Sequence, residues 1–113
     1  MTAQEMSEKI VERVVGDRKG TGVSVCEVVE ACGQDARGDL PLECESNLLL
    51  WNGVSDKFTE AFSLAFPRLR VAVLPGLLVH TEPKWLRLPI AKRVRAYRRP
   101  RWLPVALFSK DRA

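Results

Sequence analysis

Apolar residues recur at helical spacing over residues 2–15. Ala3, Met6, Ile10 and Val14 share one face, and Val11 and Val15 widen it. Thr2-Ala3-Gln4-Glu5 opens this segment as a capping box, in which a hydroxyl and a carboxylate satisfy the backbone donors that a helix start leaves unpaired. The pattern predicts an amphipathic helix. Gly16-Asp17-Arg18-Lys19-Gly20-Thr21-Gly22 ends it as a loop. Its glycines invite comparison with a phosphate-cradling loop, but the G-x-x-x-x-G-K-[ST] spacing is absent.

Ser24-Val25-Cys26-Glu27 is a second capping box and predicts a short helix closed by Gly33, with Val25, Val28, Val29 and Cys32 on its inner face. After a polar turn over residues 34–39, Asp39 reads as the cap of a third short helix. Pro41 is acceptable in its first turn, and Leu40 and Leu42 point inward. Leu48-Leu49-Leu50-Trp51 is a brief apolar run, either a buried strand or the end of that helix. Beyond an Asn52-Gly53 turn, Ser55 caps a helix with the stripe Phe58, Ala61, Phe62, Ala65 and Phe66, which Pro67 stops.

The character then changes. Short apolar or alternating runs over residues 69–74, 77–81, 85–88 and 102–108 are separated by Pro and Gly, which is the punctuation of strands. Helices first and strands later predict an α+β domain. The expected architecture is a helical, helix-turn-helix-like N-terminal part followed by a small antiparallel β-sheet. A single domain is expected over residues 1–113, mainly helical and acidic over 1–66 and mainly strands, loops and basic charge over 67–113.

Charge sharpens this division. Residues 1–60 hold six Lys/Arg against twelve Asp/Glu, a net −6, and residues 61–113 hold twelve against two, a net +10. Between Lys84 and Lys110 there are nine basic residues and no acidic one. Folding does not need such a split, and a surface tuned for solubility alone would mix the signs. An anionic partner is therefore expected. The longest uncharged apolar stretch, residues 71–79, is broken by Pro75 and Gly76, so no transmembrane segment or secretion signal is read, and a cytoplasmic location is expected.

The residues Val25-Cys26-Glu27-Val28-Val29-Glu30-Ala31-Cys32-Gly33, followed by the candidate helix from Leu40 to Ser46, resemble a winged helix-turn-helix over about residues 1–88. The resemblance implies DNA binding by the second motif helix in the major groove. This chain departs from that pattern where it matters. Its candidate recognition helix carries Asp39, Glu43 and Glu45 and no basic residue, and acids beside phosphates repel a duplex. No site residue is assigned from it; it could serve DNA or protein contact equally.

The stronger candidate is Lys92-Arg93-Val94-Arg95-Ala96-Tyr97-Arg98-Arg99-Pro100-Arg101-Trp102. If this segment runs extended, Arg93, Arg95, Tyr97, Arg99 and Arg101 line one side at a pitch of about 6.6 Å. Arginines so placed fork onto phosphate oxygens, and Tyr97 offers a ring on which a base stacks. The expected nucleic-acid-binding residues are Lys92, Arg93, Arg95, Tyr97, Arg98, Arg99 and Arg101, with Lys84 and Arg87 as an extension of the surface. The competing reading is a strand edge protected by charge against aggregation. Trp85 and Trp102 are read as core beneath this face.

Chemistry has little support in the sequence. His80 is the single histidine, with Glu82 the nearest acid in sequence, and no nucleophile arrangement is recognisable. Cys26, Cys32 and Cys44 form no C-x-x-C pair, which argues against both a disulfide framework and a zinc site; no cofactor and no metal are expected. The sequence thus favours a non-enzymatic nucleic-acid-binding protein, DNA ahead of RNA, acting as a DNA-binding regulator or accessory factor. The alternative is a protein-interaction adaptor whose basic face docks on an acidic protein or on another copy of itself.

Overall fold

The computed structural model describes residues 1–17, 20–73, 88–91 and 93–110. In chain order the elements are α1 (Ala3–Val15), β1 (Val23–Ser24), α2 (Val25–Cys32), a 3-10 turn (Gly33–Ala36), β2 (Arg37–Glu45), β3 (Leu48–Val54), α3 (Asp56–Ala65), a second 3-10 turn (Phe66–Arg68), β4 (Leu69–Val73), β5 (Arg101–Trp102) and β6 (Val105–Ser109). The class is α+β. Helices and strands interleave, however, and the first 66 residues contain β1, β2 and β3 as well as the three helices.

The helix starts follow from local chemistry. Both capping boxes form: Thr2 and Ser24 each accept from the backbone of a glutamate three residues on, and Glu5 and Glu27 bond back to the cap backbone. Ser55 accepts from the Phe58 amide and starts α3. Gly33 closes α2 at φ 76°, a conformation that costs glycine little. Most of the expected inner faces form: Met6, Ile10 and Val14 on α1, Val25, Val28 and Cys32 on α2, and Phe58, Ala61, Phe62 and Ala65 on α3 are buried, whereas Val15 and Phe66, at the ends of their stripes, are exposed. α1 packs on α3 and also touches α2 and β6.

The third helix expected at residues 39–46 is instead strand β2. Leu40 and Leu42 are two residues apart, which puts them on different sides of a helix but on the same face of a strand. In β2, Leu40 is partly buried and Leu42 buried, while Pro41 and Glu43 face out. Pro41 fits because β2 is the edge of its sheet, where a missing N–H breaks no ladder. Thus the element that the winged-helix resemblance assigns to groove reading is a strand. Asn52-Gly53, read as a turn, lies inside β3. Gly53 sits there at φ 95°, and the register shifts as Arg37 and Leu40 both pair with Val54. The actual hairpin turn is Ser46-Asn47, with Asn47 left-handed at φ 58°.

Two three-stranded sheets result, β1-β6-β4 and β2-β3-β5. In the first, β6 is central and antiparallel to both neighbours, with Val23 opposite Leu107 and Val71 opposite Leu107 on the other side. In the second, β3 is antiparallel to β2 and parallel to β5, with Leu48 opposite Arg101 and Leu49 opposite Trp102. The apolar run Leu48–Trp51 is buried throughout because β3 is central and covered on both faces. Trp102 is in the core, edge-on to Trp51 with ring centroids 6.3 Å apart. Trp85, also expected in the core, lies outside the described residues, as do the strands expected at 77–81 and over most of 85–88. Leu103 and Pro104, both buried, carry the chain from β5 to β6 and so join the two sheets. No helix among the described residues is long and apolar enough to cross a membrane.

Candidate anion-binding cleft on the arginine loop

The arginine-rich segment does not form the expected extended stripe. Ile90 bridges Trp102 in parallel, so the chain between them must double back and cannot continue as one straight strand. The stem is closed by backbone bonds: the Ala91 amide donates to the Trp102 carbonyl at 2.7 Å, and the Trp102 amide to the Pro89 carbonyl at 2.9 Å. Residues 93–100 form a bent surface loop between these ends.

The loop is docked on the β2–β3 hairpin turn. The Tyr97 amide donates to the Ser46 carbonyl at 2.9 Å, Asn47 Nδ2 donates to the Tyr97 carbonyl at 3.0 Å, and the Arg101 amide donates to the Asn47 carbonyl at 2.8 Å. Glu43 accepts from the Asn47 amide at 3.2 Å and steadies the turn from the other side. Asn47 therefore couples an acidic hairpin to a basic loop. Sequence reasoning missed it; the available signal was an Asn before an apolar run, a residue that tolerates left-handed turns.

Tyr97 organises the loop. Its hydroxyl donates to the Arg93 carbonyl at 2.9 Å, and the guanidinium carbons of Arg95 and Arg101 lie 4.9 and 5.1 Å from its ring centroid. The ring thus attracts two cations through its electron-rich faces. The expectation that Tyr97 is an open platform for a base gives way to a ring already engaged by arginines. Arg93, Arg95, Tyr97 and Arg101, with the partly buried Ile90, line one cleft of about 370 Å³. Arg98 and Arg99 are exposed on the same loop outside this lining. The remaining expected residues, Lys92, Lys84 and Arg87, lie outside the described residues.

These guanidiniums are not neutralised from within the described structure. Among the described residues, the ion pairs join Arg13 to Glu27 at 2.7 Å, Arg68 to Glu8 at 3.4 Å, and both Lys57 and the N-terminal amine to Asp35 at 3.8 Å. None involves Arg93, Arg95, Arg98, Arg99 or Arg101. Residues 93–100 are not a strand, so of these arginines only Arg101, exposed on the outer strand β5, sits at a sheet edge. The opposite outer strand, β2, bears Pro41 and the exposed Asp39, Glu43 and Glu45.

A roomier groove of about 440 Å³ lies between α2 and the β2–β3 hairpin, lined by residues that include Glu30, Arg37, Trp51 and Asn52. It pairs one cation with one anion, so it lacks the uniform sign that would concentrate a charged ligand. Burial pushes the Cys32 thiol up, and burial followed by the charges of Glu45 and Glu43 pushes Cys44 up, which favours the protonated form of both. Among the described residues no three His, Cys, Asp or Glu side chains gather as metal ligands, and His80 lies outside them. Comparison with known proteins finds no matching family model, no matching curated protein and no matching solved structure.

Proposed function

We propose that this chain binds nucleic acid without acting on it chemically, holding phosphates with the arginines of the loop over residues 93–101. Arg93, Arg95 and Arg101 make the central contacts in the cleft, and Arg98 and Arg99 add contacts along the strand that enters it. DNA remains the preferred partner over RNA, in a regulatory or accessory role in the cytoplasm. One observation carries the reading: the Arg95 and Arg101 guanidiniums lie over the Tyr97 ring and Arg93 lines the same cleft, with no carboxylate partner for any of the three among the described residues. Holding like charges together costs free energy that an outside anion offsets. Guanidinium forks match phosphate oxygens better than any other side chain does.

The reading has a quantitative signature. Neutralising three to five phosphates gives a slope of log K against log salt of about −2.7 to −4.5 on duplex DNA and about −2.1 to −3.5 on single strands. Fluorescence anisotropy over a salt series measures it for duplex DNA, single-stranded DNA and RNA. An Arg95→Glu/Arg101→Glu variant should bind about tenfold or more weakly and with a shallower slope. Affinity indifferent to salt, or equal for the two proteins, overturns the proposal.

A second reading is favoured by the exposed acids Asp39, Glu43 and Glu45 on the outer strand β2. Here the arginine loop docks on an acidic protein or on β2 of another copy. Sizing chromatography separates the two: oligomers that dissociate with added salt, in a protein that retains no oligonucleotide, favour this second reading.

A further inference from the structure

We infer that the Tyr97 cleft takes the terminal phosphate monoester of a nucleic-acid strand, in preference to the diesters along its length. The inference rests on the nucleic-acid reading and names the part of the strand that the cleft receives.

The arrangement of the cations is the starting point. A groove that follows a backbone spreads its charges along a track. Here three arginines surround a single recess: Arg93, Arg95 and Arg101 line the same cleft of about 370 Å³, and two of them stand within 5.1 Å of one ring centroid. The site is built to concentrate positive charge on one small anion. A phosphate monoester carries about −1.5 to −2 charges near neutral pH and presents three strong acceptor oxygens, one for each guanidinium. A diester within the chain carries a single charge. The terminal group therefore gains more from three arginines lining one recess than an internal one does.

Tyr97 gives the cleft its shape. Its ring attracts the Arg95 and Arg101 guanidiniums, while its hydroxyl holds the Arg93 backbone at 2.9 Å. Its own backbone is fixed to Ser46 and Asn47. The arginines are thus partly positioned before the ligand arrives, and less ordering has to accompany binding. Arg98 and Arg99, outside the lining, are left to meet the diesters that follow the terminal group.

The test uses the full chain and one labelled single-stranded DNA oligonucleotide in three forms, with a 5′-phosphate, with a 3′-phosphate and with hydroxyls at both ends, beside the same three forms of its RNA counterpart. Anisotropy should show about tenfold tighter binding for one phosphorylated end than for the hydroxyl-ended form. Arg95→Gln and Arg101→Gln should erase that preference, whereas Arg98→Gln/Arg99→Gln should weaken all forms alike and keep it. Phosphorus NMR gives a second readout: the second pKa of the terminal phosphate, about 6 when free, should fall on binding to wild-type protein and not on binding to Arg95→Gln. Equal affinity for phosphate and hydroxyl ends, with arginine- and salt-dependent binding intact, sinks the terminal-phosphate inference and leaves the nucleic-acid reading standing. Binding of a phosphoserine peptide more tightly than any oligonucleotide overturns the inference as well. If no oligonucleotide of any form binds, the nucleic-acid reading itself fails.

Discussion

At Tyr97 two interactions meet that a substitution can separate. The hydroxyl holds the Arg93 carbonyl, and the ring holds the guanidiniums of Arg95 and Arg101. Tyr97→Phe removes the first and keeps the second; Tyr97→Leu keeps apolar bulk and loses both. Cation–π contacts at exposed sites contribute about 0.5–1 kcal/mol each. Tyr97→Phe should therefore bind oligonucleotides nearly as well as wild type, and Tyr97→Leu about fivefold more weakly, by anisotropy at fixed salt. If Tyr97→Leu binds as well as wild type, the ring does not position the arginines. The sequence set an aromatic ring among arginines at this point, but as an open face and not as a ring over which two guanidiniums lie. Alternation along 93–101 suggested an open face, and nothing in that run reveals that Ile90 and Trp102 are parallel neighbours or that Asn47 holds the loop from 50 positions away.

Helix α1 shows how far local signals carry. Thr2 accepts from the Glu5 amide at 3.1 Å, and the Glu5 carboxylate accepts from the Thr2 amide at 3.1 Å. That backbone bond, together with the Thr2 side chain, holds the Glu5 carboxyl below its ordinary range. A group depressed in the folded state supports stability above its unfolded pKa, and the support fades as pH falls through the folded value. Glu5→Gln should therefore be less stable than wild type at neutral pH, and the gap should close in acid, as followed by urea unfolding at pH 7 and pH 3. A gap that persists in acid would mean that the charge at Glu5 is not involved. Thr2→Ala should cost about 1 kcal/mol. The starts of α1, α2 and α3 were legible because a cap and its partner sit within one turn. Strand β2 was not: its Asp39 resembles a cap, and only the two-residue spacing of Leu40 and Leu42 gives away a strand that needs β3 beside it to exist.

Taken as one body, the molecule does not divide where its charge does. Strand β1 of the acidic half pairs with β6, β3 pairs with β5, and α1 rests on β6, so the elements of the basic half lie inside the core of the acidic one. Leu107, fully buried on β6, faces Val23 on one side and Val71 on the other. A fragment ending at residue 66 therefore exposes the apolar faces that β5 and β6 cover. It should give a poorly dispersed proton NMR spectrum and unfold without cooperativity; a well-dispersed spectrum would show that the first half folds alone. Composition made the charge asymmetry plain, but the strand pairings that interleave the two halves are long-range and leave no trace in local periodicity. The stem at Ala91 and Trp102 has one more consequence. Because the stem is sealed there by backbone groups, whatever their side chains, the exposed positions 93–96, 98 and 99 are free to change identity without unsealing it, while Tyr97, packed against the core, is not. The chemistry that this loop presents can diverge while the architecture is inherited intact.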